Sequence, residues 1–163
     1  MATGAGGAPA GSARERERAV AVALEGLREI RRLTNTRADD PLSVPAAWER
    51  HQPVRAVALV LEAAGIPPSA VGADGRPVAT GYRVRLTGQP AAVRVEWVGP
   101  PGSGAGYEEQ AALGRCAAAL RRMGWEALEY RGPRRRMVPG GRTRPVRRPR
   151  PPEPYGSRHR AAV

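Results

Sequence analysis

The chain of 163 residues contains no phenylalanine and no lysine, one cysteine, two histidines and no long apolar run. Each shortage excludes something. A lone Cys116 cannot close an internal disulfide. Together with His51 and His159 it is too little for a Cys/His metal cluster, so neither a metal nor a cofactor is expected. No apolar run is longer than Ala56 to Leu61, which is far too short to cross a membrane. Residues Met1 to Ser12 are Gly/Ala-rich and pass directly into Arg-Glu-Arg-Glu-Arg with no apolar stretch between, which does not match a secretory signal. The cytoplasm is the expected location, with no membrane partner.

What is present is arginine. All 27 basic residues are Arg, against 15 acids, for a formal charge of +12. Abundant Ala, Gly and Pro accompany them, the composition of a GC-rich genome, so Arg enrichment by itself says little about recognition. The placement says more. From Arg131 onward the chain has 11 Arg against the single Glu153, a net +10, whereas Met1 to Tyr130 carries only +2.

The most legible stretch runs from Tyr82 to Val98, two period-2 apolar runs around Gly88-Gln-Pro-Ala91, a hairpin signal. Pairing Thr87 with Ala92 sets Leu86 opposite Val93, Val84 opposite Val95 and Tyr82 opposite Trp97. All these pairs share one face, which fixes the register, because a slip of one residue would send one strand's apolar set into water. The other face then carries Arg83 opposite Glu96 and Arg85 opposite Arg94. Two guanidiniums facing each other disfavour an antiparallel pair unless an anion lies nearby.

Around the hairpin, Ala13 to Leu33 has an amphipathic stripe of Val20, Ala23, Leu24, Leu27, Ile30 and Leu33. Asp39, Asp40, Pro41 and Pro45 mark turns, and Trp48 anchors a short helical segment near Ala46 to Arg50 by docking on the core. Pro53 opens a second helix, Val54 to Ala64, with Val54, Val57, Ala58 and Leu61 inward, and Gly65-Ile66 stops it. Asp74-Gly75 and Pro77 are turn signals. A helix from about Tyr107 to Met123, with Leu113, Cys116, Ala117 and Leu120 inward, ends at Gly124. A strand follows at Trp125 to Arg131, with a return strand at Met137-Val138. The expectation is an α+β fold: a small antiparallel sheet of three or four strands with helices on one face, in the order α-α-β-β-α-β. Residues 1–12 and 139–163 are expected to be disordered tails flanking a single domain, 13–138.

No catalytic constellation stands out. Gly102, Gly104 and Gly106 have the wrong spacing for a dinucleotide fingerprint, no Gly-Lys-Ser/Thr follows, and Glu108 and Glu109 place negative charge where a phosphate would sit. Ser43, Ser69 and Ser103 lie in turns, and Cys116 falls on an inward helical face as a small inert hydrophobe. The basic segment, with Arg134, Arg135, Arg136, Arg147, Arg148 and Arg150, attracts polyanions, and it lacks the apolar residues needed to lie in a membrane. Arg83, Arg85 and Arg94 add a second basic surface. The expected function is non-enzymatic contact with nucleic acid, DNA or RNA, mainly through phosphate and with little sequence preference. The alternative is a protein-interaction module, using the sheet edge or the 13–33 helix, which requires an exposed apolar stripe on that helix; a third reading, a small enzyme, requires a pocket that gathers the scattered acids and arginines.

Overall fold

The computed structural model describes residues 10–129 and the backbone of 160–162. Helix α1 is Ala10–Thr34, and a 3-10 turn, Pro41–Ser43, follows it. Next come α2, Ala47–His51, and α3, Pro53–Ala63. Two short strands, β1 (Ala70–Val71) and β2 (Pro77–Ala79), form their own small antiparallel sheet around the Asp74-Gly75 turn. The main sheet is built from β3 (Gly81–Leu86), β4 (Val93–Val98), β5 (Glu126–Leu128) and β6 (Arg160–Ala162), in the order β3-β4-β6-β5. Helix α4, Ala105–Arg122, connects β4 to β5.

The α+β class holds, and the hairpin register is the expected one at every position: Tyr82 faces Trp97, Val84 faces Val95, Arg85 faces Arg94 and Leu86 faces Val93. The loop closes with Thr87 donating its amide to the Ala92 carbonyl at 3.2 Å. The sheet as a whole is mixed, not antiparallel throughout. Strand β6 runs parallel to both β4 and β5, because the last described residues enter between those two strands. Residues 160–162, expected in a disordered tail, are therefore strand, and residues 10–12 belong to α1. The rest of both expected tails and the return strand at Met137-Val138 lie outside the described residues.

One face of the sheet makes the core. Val93, Val95 and Trp97 of β4, Tyr82 of β3 and Ala127 of β5 pack against Val57, Val60 and Leu61 of α3 and Cys116, Ala117 and Leu120 of α4. Small residues at Ala112, Cys116, Ala117 and Ala119 are buried where α4 packs over β4. Tyr82 reaches across, its hydroxyl donating to the Ala58 carbonyl at 3.1 Å. Burial, followed by the nearby Glu62 carboxylate, raises the Tyr82 pKa well above that of free tyrosine, so the donor persists at alkaline pH.

Helix α1 departs from its expected role. Leu27 is buried, and Val20 and Leu24 are half-buried, but Ala23, Ile30 and Leu33 of the expected inward stripe face solvent. The residue that goes inward with Leu27 is Arg31, at 0% exposure. Its Nε and Nη2 donate to the two oxygens of Glu49, each at 2.6 Å, and Glu49 is likewise 0% exposed. Arg31 Nη1 donates to the carbonyls of Leu42 at 2.6 Å and Met123 at 2.8 Å. Glu49 Oε1 also accepts from the Ala46 amide at 2.8 Å. One turn on, Asn35 Nδ2 donates to the carbonyls of Pro41 at 3.0 Å and Val44 at 2.6 Å. The turn-rich segment after α1 is thus held by two side chains from the C-terminal end of that helix. Trp48, expected to dock, remains 39% exposed; the anchor of α2 is Glu49.

Both core-facing helices end in the expected glycines. After α4, the Gly124 amide donates to Arg121 and the Trp125 amide to Leu120, each at 3.0 Å, a Schellman stop with Gly124 at φ +74°. Gly124 also lies directly against the Ser43 carbonyl, and a Cβ there would collide with that oxygen. Gly75 has a similar φ of +76° with open space where its Cβ would be. Gly75→Ala is therefore expected to cost about 1 kcal/mol from backbone conformation alone. Gly124→Ala is expected to cost about 3 kcal/mol or more, because the Ser43 backbone must also move. Urea denaturation of the two variants checks this; equal costs would contradict it.

Candidate nucleic-acid interface

The outward face of the hairpin carries Arg83 and Arg85 on β3 and Arg94 and Glu96 on β4, brought together by the antiparallel register. Period 2 puts these charges opposite the apolar set, so burying Val93, Val95 and Trp97 obliges them to face out. Arg83 and Glu96 are half-buried; Arg85 and Arg94 are exposed.

Glu96 serves two guanidiniums. Arg83 Nε donates to Glu96 Oε2 at 2.9 Å, with Nη2 at 2.7 Å from the same oxygen. Arg85 Nε lies 3.5 Å from that oxygen. The cross-strand repulsion between Arg85 and Arg94 is thereby relieved on one side, since a carboxylate lies diagonally beside Arg85. Arg94 has no ion pair among the described residues. The hairpin face thus keeps two of its three positive charges after Glu96 is counted, and its cations available to a ligand are Arg94 and Arg85, while Arg83 is largely committed to Glu96. Glu126 and Leu128 of β5 extend the same outward face toward a less basic edge: Leu128 is in register with Ala162, which is in register with Arg94.

The aromatic residues of the hairpin do not join this surface. Tyr82 and Trp97 are buried on the opposite face. A strand of nucleic acid lying on the Arg face would meet guanidiniums and no stacking rings from the hairpin, an arrangement suited to phosphate and not to bases. The other expected contacts, Arg134, Arg135, Arg136, Arg147, Arg148 and Arg150, lie outside the described residues.

Among the described residues, concave regions elsewhere include the following two. A cavity of about 580 Å³ is formed by the loop Gly99 to Gly104 and the start of α4, with Glu108 in the first turn of that helix. That acid offsets the positive end of the helix dipole, so the loop lacks the electrostatics of a phosphate cradle. A groove of about 530 Å³ lies between α1 and the end of α3, floored by Val20, Leu24, Ile66 and Pro67. At its edge Arg16 grips Glu62, with Nη2 to Oε1 at 2.8 Å and Nε to Oε2 at 3.2 Å. Among the described residues no three His, Cys, Asp or Glu side chains cluster as a metal site would require, and no helix is long and apolar enough to cross a membrane.

The charged group missed at the level of sequence is the Arg31–Glu49 pair. Its signal was the position of Arg31, four residues after Leu27 and seven after Leu24, on the domain-facing stripe of α1. A charge on an apolar stripe asks for a buried partner, and the partner was 18 residues away in a segment without periodicity.

No known family model matches the chain, no curated protein sequence matches it, and no solved structure matches its fold.

Cys116 is fully buried between α4 and the sheet. Burial pushes its thiol pKa up to about 11, against a smaller opposing effect of Arg115. At pH 8 the group is therefore a protonated, enclosed thiol with little nucleophilic character. A disulfide reagent is expected to leave it unmodified in the native protein at pH 8 and to titrate one thiol after denaturation. Rapid modification of the native chain would contradict both its burial and its inert role.

Proposed function

We propose that this protein is a non-enzymatic nucleic-acid-contacting protein that engages phosphate with little sequence preference. The observation that carries this reading is the distribution of charge: of a net +12, ten units fall after residue 130, behind a chain whose first 130 residues are nearly neutral. A near-neutral fold followed by a concentrated cationic segment suits a polyanion partner, because each phosphate neutralised releases condensed counterions. Arg94 and Arg85 on the outward hairpin face add cations on a rigid element, and the lack of hairpin aromatics on that face argues for backbone contact over base stacking.

Fluorescence anisotropy with labelled DNA and RNA oligomers of unrelated sequence tests the proposal. Binding to all of them at low salt is expected, with affinity falling as salt rises. Replacing Arg134, Arg135, Arg136, Arg147, Arg148 and Arg150 with Gln should flatten the log–log salt dependence by roughly 0.7–0.9 for each phosphate no longer neutralised. Arg85→Gln with Arg94→Gln should flatten it further, by the equivalent of up to two phosphates. Absence of binding at low salt, or a salt slope unchanged by the six substitutions, would overturn it.

A further inference from the structure

We propose that the solvent-facing side of α1 is a homodimer interface, in which two copies of the chain pack α1 against α1, antiparallel, about a twofold axis. The helix is apolar on two sides. One side, through Leu27 and the half-buried Val20 and Leu24, meets its own chain. The other presents Ala19, Val22, Ala23, Gly26, Ile30 and Leu33 within roughly a 100° arc of the helix. In the isolated chain Val22 is 73%, Leu33 68% and Ile30 40% exposed. Residues 19, 23, 26, 30 and 33 alternate spacings of four and three, the seam of a two-helix packing. This is the exposed stripe that a docking role for α1 requires.

A second copy, and not a different partner, is indicated because the stripe complements itself. A twofold contact needs residue i to suit residue j and j to suit i. Side-chain size along the seam runs from small (Ala19, Ala23, Gly26) to large (Ile30, Leu33). Set antiparallel with Ala23 against the partner's Gly26, Ile30 falls against the partner's Ala19, so large meets small at both of these contacts and small meets small in the middle, while Leu33 lies beyond them, level with the partner's Arg16. Charges on one flank repeat the symmetry. Reading Glu15, Arg18, Glu29 and Arg32 against the reversed helix sets Glu15 opposite the partner's Arg32 and Arg18 opposite the partner's Glu29. That register differs from the apolar one by two residues, about 3 Å along the axis, within reach of an arginine side chain. Neither Glu15 nor Arg18 has an ion pair among the described residues, while Glu29 and Arg32 pair only along their own helix, at 2.6 Å.

Gly26 is compatible with a close approach of the two helices. Glycine in a helix interior is disfavoured, and here a Cβ would meet nothing within 4 Å, so nothing among the described residues requires it. A glycine at the centre of the seam lets the two helix backbones approach closely.

Sedimentation velocity on the full chain across a wide concentration range is the test. The wild-type protein is expected to approach twice the chain mass at high concentration. Gly26→Leu, which fills open space in the monomer and favours the helix, should keep native circular dichroism and remain monomeric. Leu33→Glu should do the same. Arg18→Glu and Glu29→Arg should each weaken the dimer by roughly two- to fivefold, and their combination should restore it, because the exchanged charges still face each other. A monomer at every concentration overturns the proposal, including one whose own residues 130–159 protect α1. A dimer that survives both Gly26→Leu and Leu33→Glu also overturns it, because that dimer uses another surface.

Discussion

One buried ion pair sets how the helices and turns flanking the core meet. Arg31 makes four hydrogen bonds from a site with no exposure, two to Glu49 and two to backbone carbonyls. Through them it joins four pieces of chain: α1, the 3-10 turn, α2 and the end of α4. A charge taken out of water costs several kcal/mol, which geometry this complete offsets only while every partner is in place. The pair is therefore less a source of stability than a condition on the fold. If Glu49 is displaced, an unpaired guanidinium is left inside; if Gly124 is displaced by a larger residue, the Ser43 backbone moves and the Leu42 carbonyl beside it loses its position relative to Arg31.

This constraint explains the unusual disposition of α1. A helix fastened near its C-terminal end by Leu27 and Arg31, and at its other end by the half-exposed Arg16–Glu62 bridge, has no need to bury the rest of its apolar surface. Ala23, Ile30 and Leu33 are left facing solvent by the same rotation that points Arg31 inward. A helix rotated to bury the wider expected stripe would pull Arg31 away from Glu49. The apolar surface offered by α1 and the cations offered by the hairpin are thus on separate elements, the first fixed by an ion pair and the second by sheet register.

The hairpin was legible in the sequence because its evidence is local and redundant: three apolar cross-strand pairs must agree with one loop, and a period of two leaves no intermediate register. The two helix stops were legible for a similar reason, since Gly65-Ile66 and Gly124-Trp125 each combine a left-handed position with a following apolar residue. Helix α1 was legible as a helix but not in its rotation, because a wide apolar arc fits several rotations and the deciding residue is a charge. Strands β1 and β2 span two and three residues, too few for periodicity to register. Strand β6 pairs with partners more than thirty residues away in sequence, and its Arg-Ala-Ala has no strand signature. Of the candidate interface, the Arg85–Arg94 opposition was readable from register, but the way Glu96 divides itself between Arg83 and Arg85 was not, because it depends on side-chain reach across the diagonal.

A double-mutant cycle on Arg31 and Glu49, followed by urea denaturation, tests most directly whether the buried pair organises the fold. Arg31→Met and Glu49→Leu are each expected to cost about 3–5 kcal/mol, since each leaves an unpaired buried charge. The double variant should cost well below their sum, with a coupling of about 2 kcal/mol or more, while retaining a residual loss from the orphaned Leu42 and Met123 carbonyls and Ala46 amide. Additive single costs under about 1 kcal/mol, as found for exposed pairs, would contradict the account.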